Sequence, residues 1–244
     1  MVSASIIIVG AGPFGLAVAA GLRAGDVRYR LLGEPMSFWR RHMPHGMVLR
    51  SASDWHLDPL GELTIERFLG EQATSPAAAE PLPIATYLAY AAWFQERAGI
   101  VCEPLRVRRL DLAADGRFRL VTDPPDPDGA EIVSDTVVLA VGQRTFAYVP
   151  PELAAILPPG RFEHTCDLVR FDQLRAKRVV IIGGRQGMLT PLAGPAIWTG
   201  CCACTVISSA CSWSRHRCQR KCGQRLISYG WSPLDMVTAR SPTN

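Results

Sequence analysis

Residues 5–15 read SIIIVGAGPFG, an apolar run that leads directly into a glycine-rich turn. The run Ser5–Val9 carries no charge and is rich in β-branched residues, as is typical of a parallel strand with helices on both faces of its sheet. A helix is predicted from about Pro13 to Ala24, since proline suits the first helical position. Strand, tight turn and helix in this order predict a unit of α/β sheet.

The turn between this strand and helix has the spacing G-x-G-x-x-G. Gly10 permits the tight turn, Gly12 lets a diphosphate approach the backbone, and Gly15 lets the helix pack closely against the strand. Pro13 and Phe14 lie at the start of the helix, where N–H groups and the helix dipole favour an anion. The spacing therefore indicates a dinucleotide-binding site.

A second strand followed by an acidic residue strengthens this interpretation. Tyr29–Leu32 is predicted to be a strand, and Gly33 and Glu34 come directly after it. Glu34 lies 19 residues beyond Gly15, where a carboxylate can accept hydrogen bonds from a ribose. A structural glycine turn with a surface glutamate is the alternative, but the ordered set of strand, turn, helix, strand and acid favours nucleotide binding.

The first 22 residues contain no charge, so a signal peptide or a membrane span has to be considered. A signal peptide requires a basic segment before its apolar run, which this sequence lacks. A span requires about 20 consecutive apolar residues, whereas four glycines and a proline interrupt this stretch. We therefore expect a cytoplasmic protein without a membrane partner.

The segment after this first unit is polar and irregular in pattern. It contains Arg50, Asp54 and His56, which are candidate pocket residues, although a surface loop accounts for them equally well. No catalytic residue is assigned from the sequence. Residues Ala73–Pro83 are predicted to be a linker or surface loop, and Ile84–Arg97 to be a helix whose apolar residues recur at helical spacing.

Short strands are predicted around Val107–Leu112, Arg117–Thr122 and Glu131–Val133, separated by turn signals. A further apolar strand, Thr136–Val141, ends in Gly142. These elements predict a small antiparallel meander attached to the parallel sheet.

A third apolar strand, Val179–Ile182, runs directly into Gly183 and Gly184. A strand followed by glycines begins a second nucleotide-binding unit. Two such units in one chain suggest two dinucleotides, usually one flavin and one nicotinamide.

The order of these motifs resembles the flavin-containing monooxygenase-like branch of the two-dinucleotide flavoproteins, which includes Baeyer–Villiger and amine N-hydroxylating monooxygenases. The resemblance covers the first 186 residues. It is carried by GAGPFG (10–15), LLGEPMSFW (31–39), HMPHGMVLRS (42–51), VVLAVG (137–142) and VVIIGGRQ (179–186).

The resemblance implies two cofactors and a reaction. The residues that it assigns to FAD are Gly10, Gly12, Pro13, Phe14, Gly15, Glu34, Trp39, Ala140 and Gly142, and those for the NADPH diphosphate are Gly183 and Gly184. The expected function is that of an FAD-dependent, NADPH-linked monooxygenase-like oxidoreductase acting on a small molecule and O₂. A non-catalytic remnant that at most binds a nucleotide is the alternative.

Two specific members of this group fit poorly. The Baeyer–Villiger fingerprint is F-x-G-x-x-x-H-x-x-x-W. Gly160 and His164 match its glycine and histidine, but Pro158 and Leu168 stand at its two aromatic positions. A thioredoxin-reductase-like protein needs a C-x-x-C before the second glycine motif, where this sequence has only Cys166.

The last 58 residues differ from the rest in composition. Residues 1–186 hold 20 basic and 21 acidic side chains, whereas residues 187–244 hold six basic side chains and one acidic. Six of the eight cysteines also lie in residues 187–244. The excess positive charge and most of the thiols thus belong to this tail, where the family pattern stops.

Three accounts of the tail compete. Zinc binding by residues such as His216, Cys218 and Cys222 lacks two clean ligand pairs, and the basic run at 215–221 is too short to indicate nucleic-acid binding. We favour a shifted reading frame near codon 187, because GC-rich DNA read out of frame yields Cys, Arg, Trp and Ser. We accordingly predict no metal site and no nucleic-acid partner.

The expected architecture is α/β. It comprises an incomplete Rossmann-like FAD domain at 1–150, a linker with the first strand and glycine turn of an NADPH domain at 151–186, and an irregular tail at 187–244. In the family that it resembles, the NADPH domain is inserted into the FAD domain, and the chain later returns to complete the flavin site. We expect that return to be missing here.

Overall fold

The computed structural model describes residues 3–44, 46–49, 53–129, 131–157, 160, 162–164, 166–167, 173, 178–182 and 203–207. In chain order its elements are β1 (Ser3–Val9), α1 (Pro13–Ala24), β2 (Tyr29–Leu32), α2 (Ser37–His42), α3 (Ile65–Glu71), α4 (Pro76–Ala79), α5 (Ile84–Arg97), β3 (Arg106–Leu112), β4 (Phe118–Asp123), β5 (Ile132–Leu139), a 3₁₀ turn (Arg144–Phe146), α6 (Pro151–Ile156), β6 (Arg178–Ile182) and β7 (Ala203–Ile207).

The main sheet has five strands in the order β2-β1-β5-β4-β3. Strands β2, β1 and β5 are parallel, while β4 runs antiparallel to both β5 and β3. Val9 is in register with both Leu32 and Leu139. The three parallel strands therefore end side by side, and the residues that follow them share one edge of the sheet. This arrangement confirms the predicted α/β fold with an antiparallel meander.

The end of strand β1, residues 7–9, is buried on both faces, as its apolar run predicts. Ile8 belongs to one hydrophobic cluster, which α1 and α5 cover, while Ile7 and Val9 belong to a second cluster on the opposite face. The second cluster includes Leu120 of β4, so the meander covers that face. Each fully buried isoleucine contributes about 1.5–3 kcal/mol to folding, which makes β1 the centre of both cores.

An aromatic layer formed by α3 and α5 covers the first cluster. Phe68, Tyr87, Tyr90 and Phe94 are all buried. The rings of Phe68 and Phe94 lie 5.8 and 6.3 Å from that of Tyr90, within the range where tilted aromatic pairs add about 0.5–1.5 kcal/mol beyond burial. This layer fixes the segment between α2 and α5 against the sheet.

An ionic network joins the parallel strands to the meander. Arg30 of β2 pairs with Glu103, and its Nη1 lies 2.7 Å from Oδ2 of Asp126 in the β4–β5 loop. Burial alone raises the pKa of the Asp126 carboxyl, but the Asp128 backbone N–H and the Arg30 guanidinium outweigh burial and lower it. Asp126 is therefore ionised when it pairs with Arg30 at neutral pH.

The structure differs from the sequence-based elements at several places. One continuous strand, β5, replaces the separate strands predicted at Glu131–Val133 and Thr136–Val141, because Ser134 is buried within the sheet and its hydroxyl donates to the carbonyl of Thr136. The short helix α4 lies within the predicted loop Ala73–Pro83, with the Ser75 hydroxyl accepting from the N–H of Ala78. Among the described helices, none is long and apolar enough to cross a bilayer.

The described residues at the C-terminal end form a separate pair of strands. Strand β6, at the predicted strand Val179–Ile182, pairs in parallel with β7, with Arg178 opposite Ala203 and Ile182 opposite Ile207. Strand β7 lies in the tail, where the sequence pattern predicts no regular element. A connection of some 20 residues between two parallel strands is long enough for a crossover.

Candidate nucleotide-binding site

The glycine turn lies at the edge where the three parallel strands end. Gly10 follows β1 with φ at 106°, and its N–H donates to the carbonyl of Leu32 at 2.8 Å. A Cβ on Gly10 would stand 2.3 Å from the backbone oxygen of Ala140. The turn thus fits between the ends of β2 and β5 only because this residue has no side chain.

Gly15 and Gly12 meet very different surroundings. A Cβ on Gly15 would stand 1.8 Å from the carbonyl oxygen of Gly10, since α1 packs directly on the end of β1. A Cβ on Gly12, by contrast, would meet no described heavy atom within 4 Å. Close packing therefore explains Gly10 and Gly15, whereas Gly12 leaves open space at the start of α1.

Helix α1 begins at this open space. Gly12 is its N-cap, Pro13 occupies the first helical position, and no described side chain caps the helix. The ring of Phe14 is 79% exposed and lies outside both cores. Because the first N–H groups of a helix lack intrahelical acceptors, this end can bind an anion such as a diphosphate.

Glu34 lies beside the glycine turn. Gly33 has φ at 139°, and a Cβ there would be 3.0 Å from the N–H nitrogen of Ala11. The N–H of Met36 donates to the carbonyl of Ala11 at 2.9 Å, which ties the segment after β2 to the turn. The carboxylate of Glu34 reaches solvent, where its Oε2 accepts from Nη2 of Arg41 at 2.5 Å.

The end of β5 completes the edge. The N–H of Ala140 donates to the carbonyl of Val9 at 2.8 Å, which places Ala140 beside Gly10. Two residues later, Gly142 has φ at 69°, and a Cβ there would meet no described atom within 4 Å. Gly10, Ala140 and the segment of Glu34 are thus brought together at one edge.

Trp39 and the second glycine pair are placed differently. The ring of Trp39 packs on Tyr87 with a centroid distance of 5.2 Å, so part of this side chain belongs to the first hydrophobic cluster. Gly183 and Gly184 lie outside the described residues. The strand β6, which leads into them, is present.

The loop between α2 and α3 is organised by internal hydrogen bonds. The carboxylate of Asp58 accepts from the N–H groups of Leu60, Glu62 and Leu63 at 2.8–3.0 Å. Burial alone raises the pKa of Asp58, but these three donors outweigh burial and lower it. The loop therefore depends on an ionised Asp58.

The hydroxyl of Tyr90 closes the same loop from the α5 side. It accepts from the N–H of Leu57 at 2.9 Å and donates to the carbonyl of Leu63 at 2.8 Å. Burial raises the pKa of Tyr90 to about 12. The hydroxyl is consequently protonated and able to donate throughout the physiological range.

Two of the candidate pocket residues fall in this loop. Nδ1 of His56 accepts from the N–H of Ile65 at 3.1 Å, which gives the ring a structural role at the start of α3. Asp54 is exposed, and Arg50 lies outside the described residues. The described residues also include no group of three or more His, Cys, Asp or Glu side chains able to hold a metal ion.

Arg41 and His42, in the polar segment after the first unit, lie at the end of α2. The sequence gives no signal for the Glu34–Arg41 pair, because the left-handed turn at Met36 brings the two together. Burial and the nearby cation of Arg144 lower the pKa of His42, so its ring is neutral at pH 7. Arg41 therefore adds positive charge beside Glu34, while His42 does not.

The family model described as pyridine nucleotide-disulphide oxidoreductase matches residues 4–187. A search of curated proteins returns no significant match.

Solved structures with the same fold include both monooxygenases and reductases. A mutant flavin monooxygenase from Stenotrophomonas maltophilia is 26% identical with a TM-score of 0.67, over 85% of this chain and 58% of that one. A bacillithiol disulfide reductase from Staphylococcus aureus is 17% identical with a TM-score of 0.63, over 88% of this chain and 59% of that one.

A third structure is that of an oxidised steroid monooxygenase bound to NADP. It is 20% identical with a TM-score of 0.54, over 84% of this chain and 38% of that one. The present chain thus spans less than two thirds of the length of these structures. Likeness at such identity to the reductase and the steroid enzyme concerns the fold alone.

Proposed function

The chain belongs to the pyridine nucleotide-disulphide oxidoreductase family of flavin-dependent oxidoreductases, and from this premise we propose that it binds FAD at the glycine turn and derives from an NADPH-linked monooxygenase. The S. maltophilia flavin monooxygenase, at 26% identity, supports the choice of monooxygenase over disulfide reductase. The lack of a C-x-x-C in the sequence before the second glycine motif supports the same choice, because disulfide exchange by a C-x-x-C needs two thiols.

The observation that carries the FAD proposal is the contrast between the three glycines of the turn. A Cβ on Gly10 or Gly15 would stand 2.3 or 1.8 Å from a backbone oxygen, whereas the position of a Cβ on Gly12 is open. A diphosphate that approaches the backbone needs this open position at the start of a helix. The residues present therefore fit the group.

We assign roles to the remaining edge residues on the same basis. The N-terminus of α1 at Pro13 and Phe14 would hold the diphosphate, and Glu34 would accept hydrogen bonds from the ribose. Ala140 and Gly142 would line the flavin side of the site, as the family resemblance implies. Trp39 would act indirectly, since its ring packs on Tyr87 and helps hold α2 in place.

Bound FAD would supply hydride acceptance and oxygen activation, which no amino-acid side chain provides. The chain itself would bind and orient the cofactor. Gly183 and Gly184 would hold the diphosphate of NADPH in a second unit that begins at β6. The substrate would be a small molecule, with O₂ as co-substrate, and the cytoplasmic location and the boundaries at 150 and 186 stay predictions.

We further propose that the segment from Gly187 is read out of frame. The family match ends at residue 187, where the acidic side chains fall to one in 58 residues. Strand β7 weighs on the other side, because it pairs with β6 as a neighbouring parallel strand would. Translation of the other two reading frames of the gene after codon 186 decides whether the frame is shifted. The proposal requires that one of these frames continue the family pattern with a helix.

Spectroscopy of the purified full chain tests the enzymatic proposal. A yellow flavin spectrum that NADPH bleaches and air restores would support an NADPH-linked oxygenase. Bound flavin that is indifferent to NADPH would limit the function to FAD binding. A colourless chain that takes up no added FAD would contradict the proposal and favour a non-catalytic remnant.

A further inference from the structure

The neighbourhood of Glu34 contains a cation that the dinucleotide motif does not call for. Arg41 is the second-last residue of α2, and its guanidinium donates to Oε2 of Glu34 at 2.5 Å. Both side chains are exposed, at 64% and 42%. Because the pair lies at the edge of the glycine turn, its charges would face the ribose of a bound nucleotide.

The two partners favour opposite ligands. A carboxylate beside the ribose accepts hydrogen bonds from its hydroxyl groups, whereas an arginine there accommodates a 2′-phosphate. In the structure, Oε2 of Glu34 accepts from Nη2 of Arg41, while Oε1 of Glu34 takes no part in this contact. The carboxylate would therefore repel a 2′-phosphate, while the guanidinium that would attract it is engaged.

The local backbone brings the two side chains close to each other. Gly33 and Met36 have positive φ values of 139° and 53°, and the Met36 N–H is bound to the carbonyl of Ala11. The chain consequently reverses direction between β2 and α2. Seven residues of separation become a direct contact, and Arg41 is held on the same side as the turn.

We propose that Arg41 is a positioning residue that orients Glu34 for the ribose, and that the Glu34 charge, by holding the Arg41 guanidinium, sets the preference of this site for an unphosphorylated ribose. This inference rests on the proposed FAD site. It predicts that loss of the Glu34 charge converts the site into one that prefers a 2′-phosphate, and that this conversion requires Arg41.

Displacement of bound FAD from the full chain tests the inference, since displacement reports on the first site alone. The competing probes are ADP and adenosine 2′,5′-bisphosphate, and flavin fluorescence gives the concentration of each that releases half of the FAD. For the unmodified chain we expect ADP to act at a concentration about tenfold lower than the bisphosphate, because like charges oppose the 2′-phosphate.

The preference should change in a defined order among the variants. Glu34→Gln should favour the bisphosphate by about tenfold, since the freed guanidinium makes a charge-assisted bond. Adding Arg41→Ala to Glu34→Gln should return the ratio of the two half-release concentrations to about one. Adding Arg40→Ala instead, which removes an equal charge from the same helix, should leave the bisphosphate favoured. Arg41→Ala alone should weaken FAD binding by about threefold, as loss of an exposed ion pair does.

The outcomes separate the two proposals. If the unmodified chain does not bind FAD, both the proposed function and this inference are overturned. If FAD binds but the bisphosphate preference of Glu34→Gln is absent, or survives Arg41→Ala, this inference alone is overturned. Circular dichroism of each variant excludes unfolding as the cause, and Glu34 and Arg41 are exposed enough for the fold to tolerate the changes.

Discussion

The sheet edge at residues 10–15 and the aromatic layer around α5 use their polar groups in opposite ways. In the layer, the Tyr90 hydroxyl both donates and accepts, and Asp58 accepts three backbone N–H groups of its own loop. At the edge, helix α1 starts without a described side-chain cap, and Gly12 faces open space. Polar groups that are engaged internally stabilise the fold, while those left open are available to a ligand. The edge is therefore where we propose that the ligand binds.

The strongest test of this comparison lies in the closely packed part of the edge. Gly15→Ala places a Cβ at 1.8 Å from the carbonyl oxygen of Gly10, so α1 must move away from β1. We expect a loss of about 3 kcal/mol in the free energy of unfolding, at the upper end of overpacking effects. Urea denaturation followed by circular dichroism measures it.

Gly21→Ala is the matched control for this change, since Gly21 lies in the same helix. A Cβ on Gly21 would meet its nearest described atom, in Pro59, at an ordinary 3.8 Å. Because alanine favours a helix, this variant should gain about 0.5–1 kcal/mol. Equal effects of the two variants would show that close packing at Gly15 is not what requires glycine.

A smaller effect is expected from the charge in the loop beneath the aromatic layer. The lowered pKa of Asp58 means that its stabilising contribution is complete above the ordinary aspartate pKa and is lost as the pH falls through its folded-state pKa. We expect Asp58→Asn to cost about 1.5–3 kcal/mol at pH 7, as for hydrogen bonds to charged groups. Urea denaturation at several pH values between 7 and 3 measures the difference in unfolding free energy between this variant and the unmodified chain.

The difference between Asp58→Asn and the unmodified chain should shrink toward low pH. Asp54→Asn serves as the control, because Asp54 is exposed in the same loop. A difference that stays constant across this range would contradict the role given to the Asp58 charge.

The smallest expected change in stability comes from the open part of the edge. Gly12→Ala places a Cβ where no described atom lies within 4 Å, and the unfolding free energy should change by less than about 0.5 kcal/mol. FAD affinity should nevertheless fall by more than about tenfold, since the added methyl group occupies the approach of the diphosphate to the backbone.

Gly70→Ala controls for the addition of a methyl group elsewhere, because Gly70 lies on α3 and a Cβ there is equally free of described neighbours. It should leave FAD binding unchanged. If Gly12→Ala bound FAD as tightly as the unmodified chain, the open position at Gly12 would no longer support the proposed site. Both regions would then have a purely structural role.

The parts of the fold that the sequence predicts are those set by local pattern. Strand β1, helix α1 and strand β2 follow from an apolar run, a glycine turn and a second apolar run, and α5 follows from its helical spacing. Helix α2 was not predicted, since its packing depends on the distant contact of Trp39 with Tyr87. Strand β5 was divided in two because burial of a polar residue, Ser134, cannot be read from a short pattern.

The same distinction holds for the candidate site. The motif spacing predicts Gly10, Gly12, Gly15 and Glu34 as site residues, because the motif calls for particular residue types at these positions. The contact of Arg41 with Glu34 is not predicted, since it depends on a left-handed residue at Met36. A non-glycine residue with positive φ is uncommon, and its presence becomes evident only when the chain is folded.

The pairing of Arg30 with Glu103 and Asp126 has a consequence for how the molecule opens. Arg30 lies on β2, at one edge of the sheet, and Asp126 follows β4 near the other. Peeling the meander away would break the ion pair between Arg30 and the buried Asp126, which is costly. Amide hydrogens in β4 and β1 should therefore exchange with solvent in a single cooperative opening, so that the antiparallel and parallel parts behave as one unit.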